Sequence, residues 1–340
     1  MTPTTFVTYT TDLLVRVAAC GWTPAALRHH LTKTKALPLL DYCMFLAKEK
    51  LPERVSSEVR YHWHVEAGFA PKESFSSSQF HTLWEKLRTI PYISSEDLRL
   101  TEEQEGASDL PPEQVKAQRK ITALLRKAES TPYEEEAATY IQKAAALQTK
   151  YNVSAIRQET PRSVRTTRLL IDAPYVREKA LLLTAIARNC GARVIALTNT
   201  GIMCVVGYPA DLAYIKDMYA SLERQCMYFM VHSPRADRAR ENGSTTSFRR
   251  SFIIAYAREI ADILASATRG ATDGDDGTSQ ALMETSAAVE DTFSTLYPEV
   301  TTSQVRAHNA AGYEEGTRSA QSSHFGGDSS GVGGRRSLGA

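Results

Sequence analysis

Apolar residues recur at helical spacing along most of the chain and turn to strand-like runs only between residues 164 and 206. In the first third, Leu13, Leu14 and Val17 lead into Gly21-Trp22-Thr23-Pro24. There Thr23 is placed to cap a helix that Pro24 opens and that runs through Leu31. Further helices are expected over 35–50, 52–68 and 76–88. A strand is expected over Val164–Ile171 and a helix over Tyr175–Cys190, stopped by Gly191. Two apolar, β-branched runs, Arg193–Leu197 and Ile202–Val206, flank Thr198-Asn199-Thr200-Gly201 and read as a β-hairpin. A helix from Pro209 to about Met230 follows, then the polar stretch SPRADRARENGSTT, which reads as a disordered arm. The long helix Ser247–Ala267 comes next, and a last helical pattern near 279–297 ends at Pro298. Past Ser322 the Gly/Ser-rich composition predicts disorder.

The plainest helical signal is residues 113–152, an antiparallel helical hairpin. Ile121, Leu124, Leu125 and Ala128 share one face of its first helix. Lys116, Lys120 and Lys127 form a stripe beside that face, with Arg119 and Arg126 further round. Thr131 and Pro132 are placed to start the second helix, and Glu134, Glu135 and Glu136 lie near its positive dipole end. Ala137, Tyr140, Ile141, Ala144, Leu147 and Tyr151 share a face of that helix.

The pattern Lys120-Ile121-x-x-Leu124-Leu125-x-Lys127-Ala128-x-Ser130-Thr131, followed by Lys143-Ala144, Leu147 and Lys150-Tyr151-Asn152, resembles the helical module of domain of unknown function 2786. That family is found in uncharacterised bacterial and phage proteins. Three further phrases are similar to parts of its members: GWTPAALRHHL, Val206-Gly207-Tyr208-x-x-Asp211 with Ser247–Phe252, and Ala310-Ala311-Gly312-Tyr313-x-x-Gly316-x-x-x-Ala320. The resemblance implies a hairpin followed by a companion α/β domain and implies no activity.

The fold class read from these patterns is α+β, mainly α. Its parts are an N-terminal helical region (1–94), an acidic linker (95–112) and the hairpin (113–152). A small β-α-β-β-α-α domain (160–270) and an acidic loop, helix and disordered tail (271–340) complete the chain.

Composition changes this picture in one respect. Hydrophobic residues at 42% and aromatic residues at 8% are ordinary for a globular chain, and no apolar run reaches the roughly 20 residues of a membrane helix. Charge, however, is segregated. Residues 114–270 carry 24 basic and 14 acidic side chains, whereas 95–113 and 271–340 are each net −6. A basic block between acidic segments favours an anionic partner. With no secretory leader pattern at residue 1 and five scattered cysteines lacking a C-x-x-C, the expectation is a cytoplasmic protein with reduced thiols and no membrane association.

Two familiar motifs are missing, G-x-x-x-x-G-K-[ST] and H-E-x-x-H, and the tail glycines, Gly327-Asp328-Ser329-Ser330-Gly331 among them, match nothing that sits after a strand and before a helix. His62, His64 and Glu66 alternate within a helical stretch, where alternate residues do not face one another, so no metal is expected there. The acidic loop at Asp273 departs from a calcium loop at Gly277 and Thr278. No cofactor is expected. Asp211, just after a strand, is the weak catalytic candidate, with a helix N-cap as its structural alternative.

Basic side chains with nearby aromatics remain: Arg235, Arg238, Arg240, Arg249 and Arg250 beside Phe248 and Phe252, together with Lys116, Arg119, Lys120 and Lys127 of the hairpin. They point to a nucleic-acid-associated accessory or adaptor protein contacting the phosphates of DNA or RNA. The alternatives are a protein–protein scaffold or self-association module, and a hydrolase using Asp211.

Overall fold

The computed structural model describes residues 3–32, 34–71, 74–91, 93, 112–130, 136, 139–148, 163–272, 276–301 and 304–322. Most of the acidic linker, the hairpin turn, the Arg157–Arg162 joint and the tail beyond Ser322 lie outside these residues. So does Asp273 of the acidic loop.

Five helices open the chain: α1 (Pro3–Ala19), α2 (Pro24–Leu31), α3 (Leu37–Lys48), α4 (Ser57–Glu66) and α5 (Ser77–Arg88). Their starts are written locally. Thr23 Oγ1 accepts from the Ala26 amide with Pro24 in the first turn, and Ser76 and Gln79 form a reciprocal capping box. The helices close around Trp22 and Trp63, both fully buried, and the two rings are tied by hydrogen bonds. Trp22 Nε1 donates to Pro91 O (2.7 Å), and Trp63 Nε1 donates to Trp22 O (2.7 Å). Gly21 precedes this pair at φ 82°, and a Cβ there would overlap Ile93 O, so only glycine fits.

The hairpin supplies α6 (Pro112–Ser130) and a second helix, α7, over 139–148. The remaining elements are β1 (Arg165–Leu170), α8 (Val176–Asn189), β2 (Arg193–Ala196) and β3 (Ile202–Gly207). They are followed by α9 (Pro209–His232), α10 (Pro234–Glu241), α11 (Thr245–Thr272), α12 (Asp276–Leu296) and α13 (Ala310–Ser322). The mainly-α, α+β expectation is met: the three strands form one antiparallel sheet in the order β1-β3-β2.

β3 explains how the molecule is layered. All six of its residues, Ile-Met-Cys-Val-Val-Gly, are buried, so both sheet faces must be covered. Successive side chains point to opposite faces. Ile202 and Cys204 join the core of the N-terminal helices, while Met203 and Val205 join the core built by α8, α9 and α11. Val206 packs with Val289 and Phe293 of α12. The sheet is therefore a wall shared by two cores. Arg168 on β1 donates to Gly21 O (3.0 Å) and His29 meets Asp172 (3.3 Å), which adds polar ties across the same junction.

One expectation is corrected here. The segment 233–246, read as a disordered arm, contains α10: Ser233 accepts from the Arg235 amide, Pro234 opens the helix, and Ala236 and Ala239 are its buried face. Charge and Ser/Gly content concealed a short helix with its own cap and a two-alanine contact. The residues weighed as metal or calcium ligands take the following places. His62 Nδ1 lies 2.8 Å from Glu66 Oε1 one turn along α4, and Glu66 Oε2 accepts from the Ala25 amide. Gly277 and Thr278 are already within α12.

Candidate nucleic-acid interface

α6 is seated through Ile121, Leu125 and Ala128, all at most 3% exposed, which enter the same core as Ile215, Met218 and Leu222 of α9, and Ala117 on the same face is 2% exposed. Polar contacts set its position. Thr122 Oγ1 donates to Asp217 Oδ2 at 3.2 Å, and Gln148 Nε2 of α7 donates to Asp211 Oδ1 at 3.1 Å. The hairpin is thus part of the α/β core and has no separate one.

With that face committed, the opposite face is presented outward. Lys116, Arg119, Lys120, Arg126 and Lys127 are all exposed. At 100° per residue these five cations fall within an arc of about 120° centred opposite the buried face. None of the five has a carboxylate partner among the described residues. Lys127 Nζ sits 5.8 Å from the Tyr140 ring, a contact that orients the charge without cancelling it. Lys143 of α7 is exposed nearby in the hairpin and is likewise without an acidic partner among the described residues. Arg126 and Lys143 were not among the candidate residues taken from the sequence. The seven-residue spacing of Arg126 from Arg119 was the available signal.

The arginines of 235–250 are arranged differently. Arg235 bridges to the C-terminal helix, with Nη1 2.6 Å from Glu314 Oε2 and Nε 3.4 Å from Glu315 Oε2. The Arg235 guanidinium holds the Glu314 carboxyl below the usual carboxylate range. Arg240 pairs with Asp237 one turn back (2.8 Å), and Arg250 pairs with Glu178 of α8 (3.5 Å). Arg238 is exposed and Arg249 half-buried, neither with an acidic partner among the described residues. Phe248 and Phe252, the possible stacking rings, are 1% and 0% exposed and belong to the core. The two basic sets are also apart along α9. Thr122 docks at Asp217, whereas α10 begins after His232, some fifteen residues or about 22 Å further along the axis. The candidate cations therefore divide into an outward hairpin face and an arginine set of which Arg235, Arg240 and Arg250 are engaged with the protein's own carboxylates.

Asp211 is not the N-cap of α9. Tyr208 holds that place in extended conformation, Pro209 is the first helical residue, and Asp211 is the third. It is 4% exposed and accepts from Gln148, which makes it an anchor between the hairpin and α9. Burial, and then the Asp211 carboxylate, push the Cys190 thiol well up, which disfavours a thiolate beside Asp211. Burial pushes Cys43 to about 12, and Cys226 is raised for the same reason.

Residues 116–155 match the model of a family described as a protein of unknown function (DUF2786), so the resemblance read from the hairpin is met over that stretch. No curated protein and no solved structure matches the chain.

Proposed function

We propose, for a chain that carries this family's module at residues 116–155, that the protein is a nucleic-acid-associated accessory or adaptor protein whose phosphate contacts come chiefly from the hairpin. One observation carries the reading: five exposed cations of α6 share one outward arc and lack acidic partners among the described residues. Lysines and arginines with no acidic partner among the described residues meet phosphates without first breaking such an ion pair, whereas Arg235, Arg240 and Arg250 have partners to lose. The α6 set therefore supplies affinity, and Arg238 and Arg249 a secondary contribution. No sequence-reading device is implied, since phosphate contacts position a protein without reading bases.

The test is a salt series with the full chain and a labelled nucleic acid. Lys116→Glu, Lys120→Glu and Lys127→Glu combined should abolish binding at moderate salt with the helical signal intact, because all three side chains are exposed. Each lost contact should also reduce the salt slope by about 1. Absence of affinity even at low salt for the unaltered protein removes the reading.

A separate observation favours a second reading, a protein–protein scaffold. Tyr61 and Val65 on α4 and Phe69 just after it are 52%, 61% and 80% exposed, and Phe69 meets the Phe45 ring edge-on at 5.5 Å. Exposed large apolar side chains grouped in one region of a surface are the kind that partners cover. Light scattering over a concentration series should then show self-association that Phe69→Ser weakens, whereas a persistent monomer confines the scaffold role to other partners.

A further inference from the structure

We infer that the polyanion taken by the hairpin is double-stranded DNA, with α6 lodged in the major groove and its two flanks reaching the two phosphate walls. This rests on the reading proposed above and adds the class of nucleic acid and the way it is held.

The arc on α6 is not uniform. At 100° per residue, Lys116, Lys120 and Lys127 fall in one row and Arg119 and Arg126 in another, about 90° round the helix. The strip between the rows holds Ala123 and Ser130, both exposed and both small. A single cationic stripe would serve any polyanion. Two rows flanking a low ridge suit a partner with two lines of phosphate separated by a space that a helix enters. A helix with its side chains is about 10–12 Å across, which the roughly 12 Å major groove of B-form DNA admits and the roughly 6 Å minor groove does not. The lysine row spans eleven residues, about 16.5 Å, and the arginine row about 10.5 Å, enough for more than one phosphate on each strand.

The same face argues against the other nucleic acids. Single strands are held by aromatic platforms on which bases stack. α6 contains no aromatic residue, Phe248 and Phe252 are in the core, and Tyr140 is half-buried beneath Lys127. Double-stranded RNA presents a deep, narrow major groove that side chains do not enter. Binding through α6 should therefore depend on B-form geometry and charge, with little dependence on base sequence.

The experiment compares a fluorescein-labelled DNA duplex of mixed sequence, its separated strands and the RNA duplex of the same sequence, each titrated with the full chain across a salt series. The DNA duplex should bind at least about tenfold tighter than either alternative, and five phosphate contacts at about −0.9 each predict a log–log salt slope near −4.5. Ala123→Leu keeps every charge and helix propensity while raising the ridge between the rows. It should weaken duplex DNA binding and leave single-strand binding unchanged. Equal or tighter binding to single strands or to RNA, or wild-type duplex affinity in Ala123→Leu, overturns the inference while the hairpin reading stands. Failure to bind all three at low salt defeats the hairpin reading itself.

Discussion

Gly316→Leu should lower the unfolding free energy by on the order of 3 kcal/mol, the upper part of the range for forcing atoms into a filled site. α13 lies across α11 with Gly312 against the backbone of Phe248 and Gly316 against that of Phe252, so close that a Cβ at either glycine would overlap the facing carbonyl oxygen. The obstacle is backbone in the middle of a helix whose side chains Phe252, Ile253 and Tyr256 are buried, and it cannot step aside. α13 must lift instead. Its other fastenings are then lost together: Ser251 Oγ accepting from the His308 and Asn309 amides (3.1 and 3.0 Å), and Arg235 with Glu314 and Glu315. Gly243→Ala is the matched control. It sits at φ +66° with nothing within 4 Å of the added Cβ, so it should cost only about 1–2 kcal/mol of backbone strain. Urea denaturation of the three proteins decides the matter. A Gly316→Leu midpoint within error of the wild type would mean that α13 is not seated as described.

That contact shows which parts of the fold could be read from sequence. The spacing Gly312-x-x-x-Gly316-x-x-x-Ala320 announced a helix face made for close approach, because small residues four apart line up on one side. Nothing in those residues named Phe248 and Phe252 as the opposing surface, since that pairing joins segments some sixty residues apart. The caps at Thr23-Pro24 and the strands flanking Thr198–Gly201 were legible because each is decided within a few residues. Covering β3 on both faces was implied by its unbroken apolar run, yet the identity of the second cover, the N-terminal helices, is a long-range fact. In α10, local composition pointed the wrong way: five charged residues around two alanines read as solvated chain until the alanines find a core.

The candidate site divides along the same line. Which cations share the outward face of α6 follows from 3.6 residues per turn, and the structure adds only that the opposite face is buried. The pairing of Arg235 with Glu314, seventy-nine residues away, depends on α13 lying over α11 and was open to no local argument. Asp211 illustrates the intermediate case. Its place near the start of α9 was readable, but it stands three positions past the cap, where its carboxylate accepts from Gln148.

Trp22→Ala should be the most damaging single truncation, costing about 3–5 kcal/mol, the usual loss for a buried large aromatic side chain. Trp22 is fully buried, and its removal also takes away the donor to Pro91 O and loosens the turn whose carbonyl accepts from Trp63 Nε1. The form of the transition matters as much as its position. All three tryptophans, Trp22, Trp63 and Trp84, belong to the N-terminal helices, so indole fluorescence reports that region alone, whereas far-ultraviolet circular dichroism reports helix throughout the chain. Ile202 and Cys204 of β3 are core residues of the N-terminal helices, and their neighbours Met203 and Val205 are core residues of the other layer. Melting the first layer exposes one face of a strand whose backbone also carries the second. The fluorescence and dichroism transitions of Trp22→Ala, followed through Trp63 and Trp84, should therefore coincide at a lower midpoint. A fluorescence transition that precedes the loss of helical signal would mean that the sheet stands without its N-terminal cover, and the shared-wall account of this fold would fail.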